Sequence, residues 1–123
     1  MTIQSRLAFD DTVAALSTAI LTAGNTIFAT IDQAAAAGTV GLTLRPTTLI
    51  VFGNPKGGTP VMDAFPLAAL DFPLKLLVWE QDGSVSVSYT PATEIAARYE
   101  VTGKDVQIAA MDRALSALAD SVT

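Results

Sequence analysis

The strongest constraint on the fold lies between residues 74 and 89. The apolar run over residues 74–80 is followed by the pair Asp82-Gly83, and apolar residues then alternate with serines over residues 84–89. An aspartate-glycine pair between two such segments is typical of a tight turn between antiparallel strands. The alternation predicts that one face of the second strand meets a core while the other is wet or weakly covered. The chain must therefore build part of its core on a β-hairpin.

Three further segments predict strands. Residues 47–52 form a nearly continuous apolar run, which is typical of a strand covered on both faces, and we place it at the centre of the sheet. Residues 26–31 are rich in β-branched and aromatic types and predict another strand. Asp32 can then cap a short helix over the alanines at 34–37. A short strand within residues 2–9 opens the chain.

A longer helix is predicted after the opening strand. Asp10 and Asp11 can cap it through their carboxylates. Apolar residues then recur on one helical face at spacings of three and four, at Val13, Leu16 and Ile20. Gly24 lies where a left-handed C-terminal cap is expected, so the helix should end near residue 23.

The C-terminal segment also carries an apolar stripe. Its residues recur at spacings of three and four, at Ile108, Met111, Leu115, Leu118 and Val122. If the helix runs from Lys104, this stripe covers about five turns. Such a stripe needs a partner surface, which is either the sheet of the same chain or a second subunit.

Length and composition agree with one domain. The chain has 123 residues, of which half are apolar and 15% are charged, which suits a single hydrophobic core. We predict an α+β two-layer sandwich, in which two to three helices cover a mostly antiparallel sheet of about five strands. The expected order is β-α-β-(short α)-β-(short α)-β-β-α.

No apolar run approaches the roughly 20 residues of a membrane helix, and the N-terminus has no signal-peptide pattern, so we expect a cytoplasmic protein and no membrane partner.

Charge and missing residue types narrow the function. Seven basic and twelve acidic residues give a net charge of -5, which argues against a nucleic-acid partner. The chain has neither cysteine nor histidine, which removes disulfides, thiolate nucleophiles, the commonest metal ligands and the usual proton shuttle. The carboxylates show no diagnostic spacing. We therefore predict no catalytic residue set, no metal and no cofactor, and an enzyme is the less favoured class.

One loop could bind a ligand. Residues 53–59 join a buried strand to a helix that Thr59 can cap and Pro60 can begin. The glycines in this loop admit unusual backbone conformations and let main-chain amides approach a ligand. The helix N-terminus and Lys56 favour an anion. The loop matches neither a phosphate loop nor a dinucleotide fingerprint, and it could serve only as a connection with Lys56 solvated.

Two sets of candidate residues follow. The candidates for ligand binding are Asn54, Lys56, Gly57, Gly58, Thr59 and Lys75. Lys75 lies on an otherwise apolar strand, from which it either reaches the sheet edge, extends its ammonium to solvent along its apolar stem, or pairs with a carboxylate beside the loop. The candidates for a dimer interface are Met62, Trp79, Met111, Leu115 and Leu118. A tryptophan at a strand end, such as Trp79, usually packs in a core or an interface.

Nearly the whole chain resembles a known family. Residues 44–62, reading LRPTTLIVFGNPKGGTPVM, and residues 71–80, reading DFPLKLLVWE, are similar to the hallmark segments of the domain of unknown function 302 (DUF302) family. The opening strand and helix and the step from Ile31 to Ala34 also resemble the family pattern. The resemblance implies a small α/β domain, commonly a dimer, with no established reaction.

Two functions from different classes remain open. The first is a non-catalytic homodimer that packs through sheet edges or the C-terminal helix. It would bind a small ligand, and that ligand could be an anion. The second is a small enzyme or a carrier for an anionic metabolite. This second function requires Lys56, Lys75, Asn54 and a carboxylate to converge on one pocket.

Overall fold

The structure is a computed structural model that describes residues 1–123. Its strands are β1 (Thr2–Gln4), β2 (Thr26–Asp32), β3 (Thr47–Gly53), β4 (Leu74–Gln81) and β5 (Ser84–Ser88). Its α-helices are α1 (Phe9–Thr22), α2 (Gln33–Gly38), α3 (Pro55–Ala64), α4 (Ala92–Arg98) and α5 (Asp105–Asp120), and a 3-10 helix covers Pro66–Leu70. None of the helices combines the length and the apolar character needed to cross a lipid bilayer.

The five strands form one antiparallel sheet in the order β1-β5-β4-β3-β2. The predicted hairpin joins β4 to β5, with Val78 opposite Val87. Its turn residues Asp82 and Gly83 have φ angles of 52° and 81°, as a type I′ turn requires. The predicted α+β class with a five-stranded antiparallel sheet is confirmed, although the helices are more numerous than expected because α4 was not anticipated.

The core lies on one face of this sheet. Side chains that alternate along the central strands, such as Ile50, Leu76 and Val78, are fully buried there. Helices α1, α3, α4 and α5 supply the other core residues. The intervening residues, such as Leu49 and Leu77, point to the opposite face and are only partly buried. The prediction that β3 is covered on both faces was wrong, because the helices pack on one face only.

The start of α1 differs from the prediction. Ala8 is the N-cap and makes no side-chain capping bond, while Asp10 and Asp11 lie inside the first turn. Thr12, in the first turn, is fully buried. Its hydroxyl donates to the carbonyl of Ala8 and shares a 2.7 Å hydrogen bond with the Ser5 hydroxyl. The two aspartates remain favourable at this end of the helix dipole.

The C-terminal helix packs within its own chain. Ile108, Leu115 and Leu118 belong to the core, as does Val122 just beyond the helix. The stripe is therefore buried within its own chain, where α5 packs mainly against α1, α3 and α4. Leu115 and Leu118 are 0% and 5% exposed, so the structure assigns them to the core rather than to the predicted dimer interface.

Helix α5 also supports the unanticipated helix α4. The Asp112 carboxylate accepts hydrogen bonds from the backbone N–H groups of Ala92 (2.5 Å) and Thr93 (3.3 Å). These are the unpaired donors at the start of α4, which has no capping side chain of its own. The cap comes from a residue about 20 positions away, so local sequence reasoning could not find it.

Candidate functional site

A groove of about 450 Å³ opens on the helix side of the sheet. It lies between the start of α3, the adjoining ends of β3 and β4, and one face of α5. Its apolar and backbone lining comes from Ala23, Phe28, Gly53, Pro55, Gly57, Gly58, Met62, Phe72, Pro73, Leu74, Val106, Ala110, Met111 and Ala114. Its polar lining residues are Asn25, Asn54, Thr59 and Gln107.

The glycine-rich segment forms the first turns of α3 rather than a loop. The Asn54 side chain caps the helix by accepting from the Lys56 backbone N–H at 3.0 Å, and Pro55 is the first helical residue. The prediction of a helix capped by Thr59 was therefore wrong, because Asn54-Pro55 offers an equally suitable start several residues earlier. Pro60 lies inside the helix.

The glycines in this segment contribute space rather than unusual backbone geometry. Gly53, Gly57 and Gly58 all lack the positive φ that only glycine adopts readily. A Cβ added at Gly57 would meet nothing within 4 Å, and one at Gly58 would lie 3.6 Å from the Met62 methyl group. Bare backbone therefore lines the groove here.

Apolar side chains that the sequence did not single out form the opposite walls. Phe28 and Val106 line the groove and are 52% and 78% exposed. Phe28 sits at an irregularity in the pairing of β2 with β3, and such a bulge re-aims a side chain. Gln107, Ala110 and Ala114 share a face of α5 at helical spacing. That spacing is the one signal from which part of this wall could have been found.

The predicted residues separate into those in the groove and those outside it. Asn54, Gly57, Gly58 and Thr59 line it, together with the interface candidates Met62 and Met111. Lys56 is exposed and does not line the groove. Lys75 is turned away, since its ammonium donates to the carbonyls of Asp71 (3.1 Å) and Pro73 (3.0 Å). Neither lysine side chain therefore lines the groove.

No charged side chain lines the groove. No three acidic residues cluster in a way that could hold a metal ion. The lining offers uncharged hydrogen-bonding groups, bare backbone and apolar walls. Such a site can hold a neutral molecule by burying its apolar surface, while a few polar groups orient it.

A polar cluster holds the loop that carries Phe72 and Pro73. One oxygen of the Asp71 carboxylate accepts hydrogen bonds of 2.6 Å from the Tyr99 hydroxyl and from Arg98. The hydrogen bond from Tyr99, and then the interactions with Arg98, lower the pKa of Asp71 despite some desolvation. The same bond raises the pKa of Tyr99. The cluster thus ties this wall of the groove to the end of α4.

Trp79, the remaining interface candidate, lies far from the groove. It is on the face of the sheet that the helices leave open, and its indole N–H donates to the Ser88 hydroxyl at 3.0 Å. This hydrogen bond ties the indole to the neighbouring strand β5 in a partly exposed position.

Comparisons with known proteins agree with the fold. A family model described as "Domain of unknown function DUF302" matches residues 1–118. A crystal structure of an uncharacterized conserved DUF302 protein from Bacillus stearothermophilus superimposes with a TM-score of 0.90, at 17% sequence identity, over 100% of this chain and 97% of that one. This likeness shows the fold alone.

Curated relatives are longer proteins. The chain is 34% identical over 113 residues to the "Fluoride-specific ion channel FluC 1" of Brucella suis and of Brucella abortus. The match covers 90% of this chain, but only 44% and 42% of those two proteins. The chain therefore spans less than half the length of the curated relatives it matches.

Proposed function

The chain belongs to the DUF302 family, and from that premise we propose that it is a ligand-binding domain whose groove takes a small, uncharged and largely apolar molecule. Family membership assigns no reaction, so the proposal rests on the site itself. The one observation that supports the proposal most is a groove of about 450 Å³ that no charged side chain lines.

The size and lining of the groove suit such a ligand. Small-molecule sites in proteins measure about 300–1,000 Å³ and are lined mainly by apolar groups with a few polar ones. Phe28 and Phe72 provide aromatic surface, and Met62 and Met111 provide flexible thioether side chains that adapt to a ligand's shape. Polar atoms of the ligand can accept from and donate to the amide of Gln107.

The glycines of α3 support the same function. A glycine inside a helix destabilises it by about 1 kcal/mol relative to alanine, and neither Gly57 nor Gly58 is needed for its φ angle. Their effect is to leave backbone bare at the groove. A ligand-binding role gives this arrangement a reason that a plain connection does not.

An anionic ligand fits this groove less well. Burying a charge without a partner is strongly unfavourable. The nearby cations are Lys56, which is exposed, and Lys75, whose ammonium is engaged by main-chain carbonyls. The enzyme or anion carrier considered from the sequence needs both lysines and a carboxylate at one pocket.

The test uses N-phenyl-1-naphthylamine, an uncharged apolar dye whose fluorescence rises in apolar sites. Ala110→Phe fills the groove from an exposed position on α5, and Ala109→Phe makes the same change at the neighbouring exposed position outside the lining. We expect saturable binding by the wild type, an affinity at least about tenfold weaker in Ala110→Phe, and no change in Ala109→Phe.

Two results would overturn the proposal. One is equal binding by both phenylalanine variants, which would place the dye elsewhere. The other is no dye binding by the wild type together with saturable binding of inorganic phosphate that Lys56→Ala abolishes. The second result would favour the carrier of an anionic metabolite.

A glycine variant should change the stability of the chain and its affinity for the dye in opposite directions. Gly58→Ala should raise the free energy of unfolding by up to about 1 kcal/mol, because alanine is the better helix former. The same methyl group intrudes on the groove and should weaken dye binding. Urea unfolding and dye titration on one protein sample measure both effects, and a variant that gains stability with unchanged affinity would count against the glycines as a binding surface.

The relatives suggest a second candidate. Because a region similar to this chain forms less than half of proteins named fluoride-specific ion channels, we propose a role as an accessory ligand-binding domain of such a channel. Co-purification of this chain with the Brucella suis protein from which the matching region has been deleted would support it. Failure of the two to associate in detergent and in lipid would remove it.

A further inference from the structure

The loop between the 3-10 helix and β4 forms one wall of the groove. Residues 71–73 make up this loop and belong to neither a helix nor a strand. Phe72 and Pro73 line the groove. The N–H groups of Asp71 and Phe72 donate to the Ala68 carbonyl at 3.0 and 3.2 Å, whereas Pro73 has no N–H. The carbonyls of Asp71 and Pro73 are bound by a side chain instead.

That side chain is Lys75, which holds the loop from β4. Its ammonium donates to the carbonyls of Asp71 and Pro73 at 3.1 and 3.0 Å, so the side chain folds back along its own chain. Both contacts are charge-assisted hydrogen bonds, which are roughly twice as strong as neutral ones. Lys75 is partly buried and does not line the groove. Its charge therefore stabilises the loop rather than a ligand.

The Asp71 side chain ties the same loop to α4. One carboxylate oxygen accepts hydrogen bonds of 2.6 Å from the Tyr99 hydroxyl and from the Arg98 guanidinium. The Tyr99 hydrogen bond, followed by Arg98 and then Lys75, lowers the pKa of the Asp71 carboxyl despite some desolvation. Attraction between Lys75 and this carboxylate therefore joins the contacts into one unit. We define the loop clamp as Asp71, Lys75, Arg98 and Tyr99.

The wall that the loop clamp holds extends across β3 toward β2. A Cβ added at Gly53 would lie 3.6 Å from the Pro73 Cβ and 3.8 Å from Cε2 of the Phe28 ring. Pro73 and Phe28 therefore both approach the bare backbone of Gly53, and all three residues line the groove. A displacement of the loop would change the shape of the groove at this point.

We propose that the loop clamp sets the affinity of the groove, with Asp71 and Lys75 as positioning residues that do not contact the ligand. This role rests on the proposed function, since it requires a ligand in the groove. A wall that is already held in place loses less conformational freedom on binding, which raises the affinity. The proposal also explains why charged side chains gather beside an uncharged site: they hold its wall without lining it.

Titration with N-phenyl-1-naphthylamine tests the loop clamp from both sides. Lys75→Met keeps the apolar stem and removes the ammonium, while Tyr99→Phe removes only the hydroxyl. Lys56→Met makes the same change as the first variant at an exposed lysine outside the groove lining. We expect the dye affinity to be at least about tenfold weaker in Lys75→Met, about threefold weaker in Tyr99→Phe and unchanged in Lys56→Met.

Amide hydrogen exchange separates a loosened wall from a loosened fold. In Lys75→Met the Phe72 amide should exchange at least about tenfold faster, while the Val78 amide in the middle of β4 should change less. Val87→Ala is a second control, because it removes buried methyl groups from β5, a strand that contributes no residue to the groove. This variant should lower the overall stability and leave the dye affinity unchanged.

The possible results are distinguishable. Unchanged exchange at Phe72 in Lys75→Met overturns the proposal, because Lys75 would then not hold the loop. Faster exchange with wild-type dye affinity also overturns it, because the wall would then not control binding. So does an equal loss of affinity in Val87→Ala, which general destabilisation would explain. A wild type that binds no dye overturns the proposed function and with it any role of the clamp in binding, while the exchange data still decide whether the clamp holds the loop.

Discussion

The two faces of the sheet use similar residues for different purposes. On the helix face Leu76 is fully buried, and on the open face its neighbour Leu77 is only partly buried. Both belong to β4 and both are leucines. The difference shows that residue type on a strand does not reveal which face carries stability and which is free for a partner. Contact with the helices makes that distinction.

The largest expected effect separates these neighbours directly. Leu76→Ala should lower the free energy of unfolding by about 3 kcal/mol, because it leaves a cavity in a closely packed core. Leu77→Ala should lower it by about 1 kcal/mol or less when the chain is monomeric, since less apolar area leaves water on folding. Urea unfolding at low protein concentration measures both. Equal losses would mean that the open face is as tightly packed as the core.

A second prediction concerns the helix layer that covers one face only. Asp112→Ala removes the acceptor for two backbone N–H groups at the start of α4 and should destabilise the chain by about 2 kcal/mol. Asp120→Ala, in the same helix but exposed and without such a contact, serves as the control and should change little. If the two variants are equally stable, the cap between α5 and α4 does not support the layer.

The smallest expected effect depends on pH. The pKa of Asp71 is lowered in the folded chain, chiefly by the Tyr99 hydrogen bond. A lowered folded-state pKa stabilises the fold above the ordinary aspartate pKa, and this contribution disappears as pH falls through the folded-state value. The stability difference between the wild type and Asp71→Asn should therefore be largest above about pH 5 and shrink below about pH 4.

The size of this effect is limited by solvent. The Asp71 and Arg98 side chains are 29% and 50% exposed, so water screens the ion pair. Urea midpoints of both proteins across the acid range provide the measurement. A stability difference that grows as pH falls would contradict a lowered folded-state pKa at Asp71.

Local patterns predicted the elements of this fold well where a short segment decides its own structure. The hairpin turn at Asp82-Gly83 has the expected positive φ angles, and Asp32 caps α2 through a 2.9 Å bond from the Ala35 N–H. Gly24, with a φ of 85°, follows α1 as expected. Prediction failed where two local solutions competed, as at Asn54 and Thr59, both of which are good helix caps.

The sequence predicted only one side of the candidate site. The start of α3 was found as a place for a ligand, since glycines and a helix start are local signals. The facing walls were not, because Phe28 comes from an irregular strand and Val106 from α5, far along the chain. The two lysines were chosen by charge, which says nothing about the direction of a side chain.

By itself, the sequence determined an antiparallel sheet, most of the helix positions and the family of the chain. Those properties follow from periodicity, turn residues and capping groups that act over a few residues. Only the tertiary structure decided which sheet face is covered, which side chains meet at the groove and which carboxylate caps α4. Each of these depends on segments that are distant in the chain and packed together in space, where burial sets the free energy.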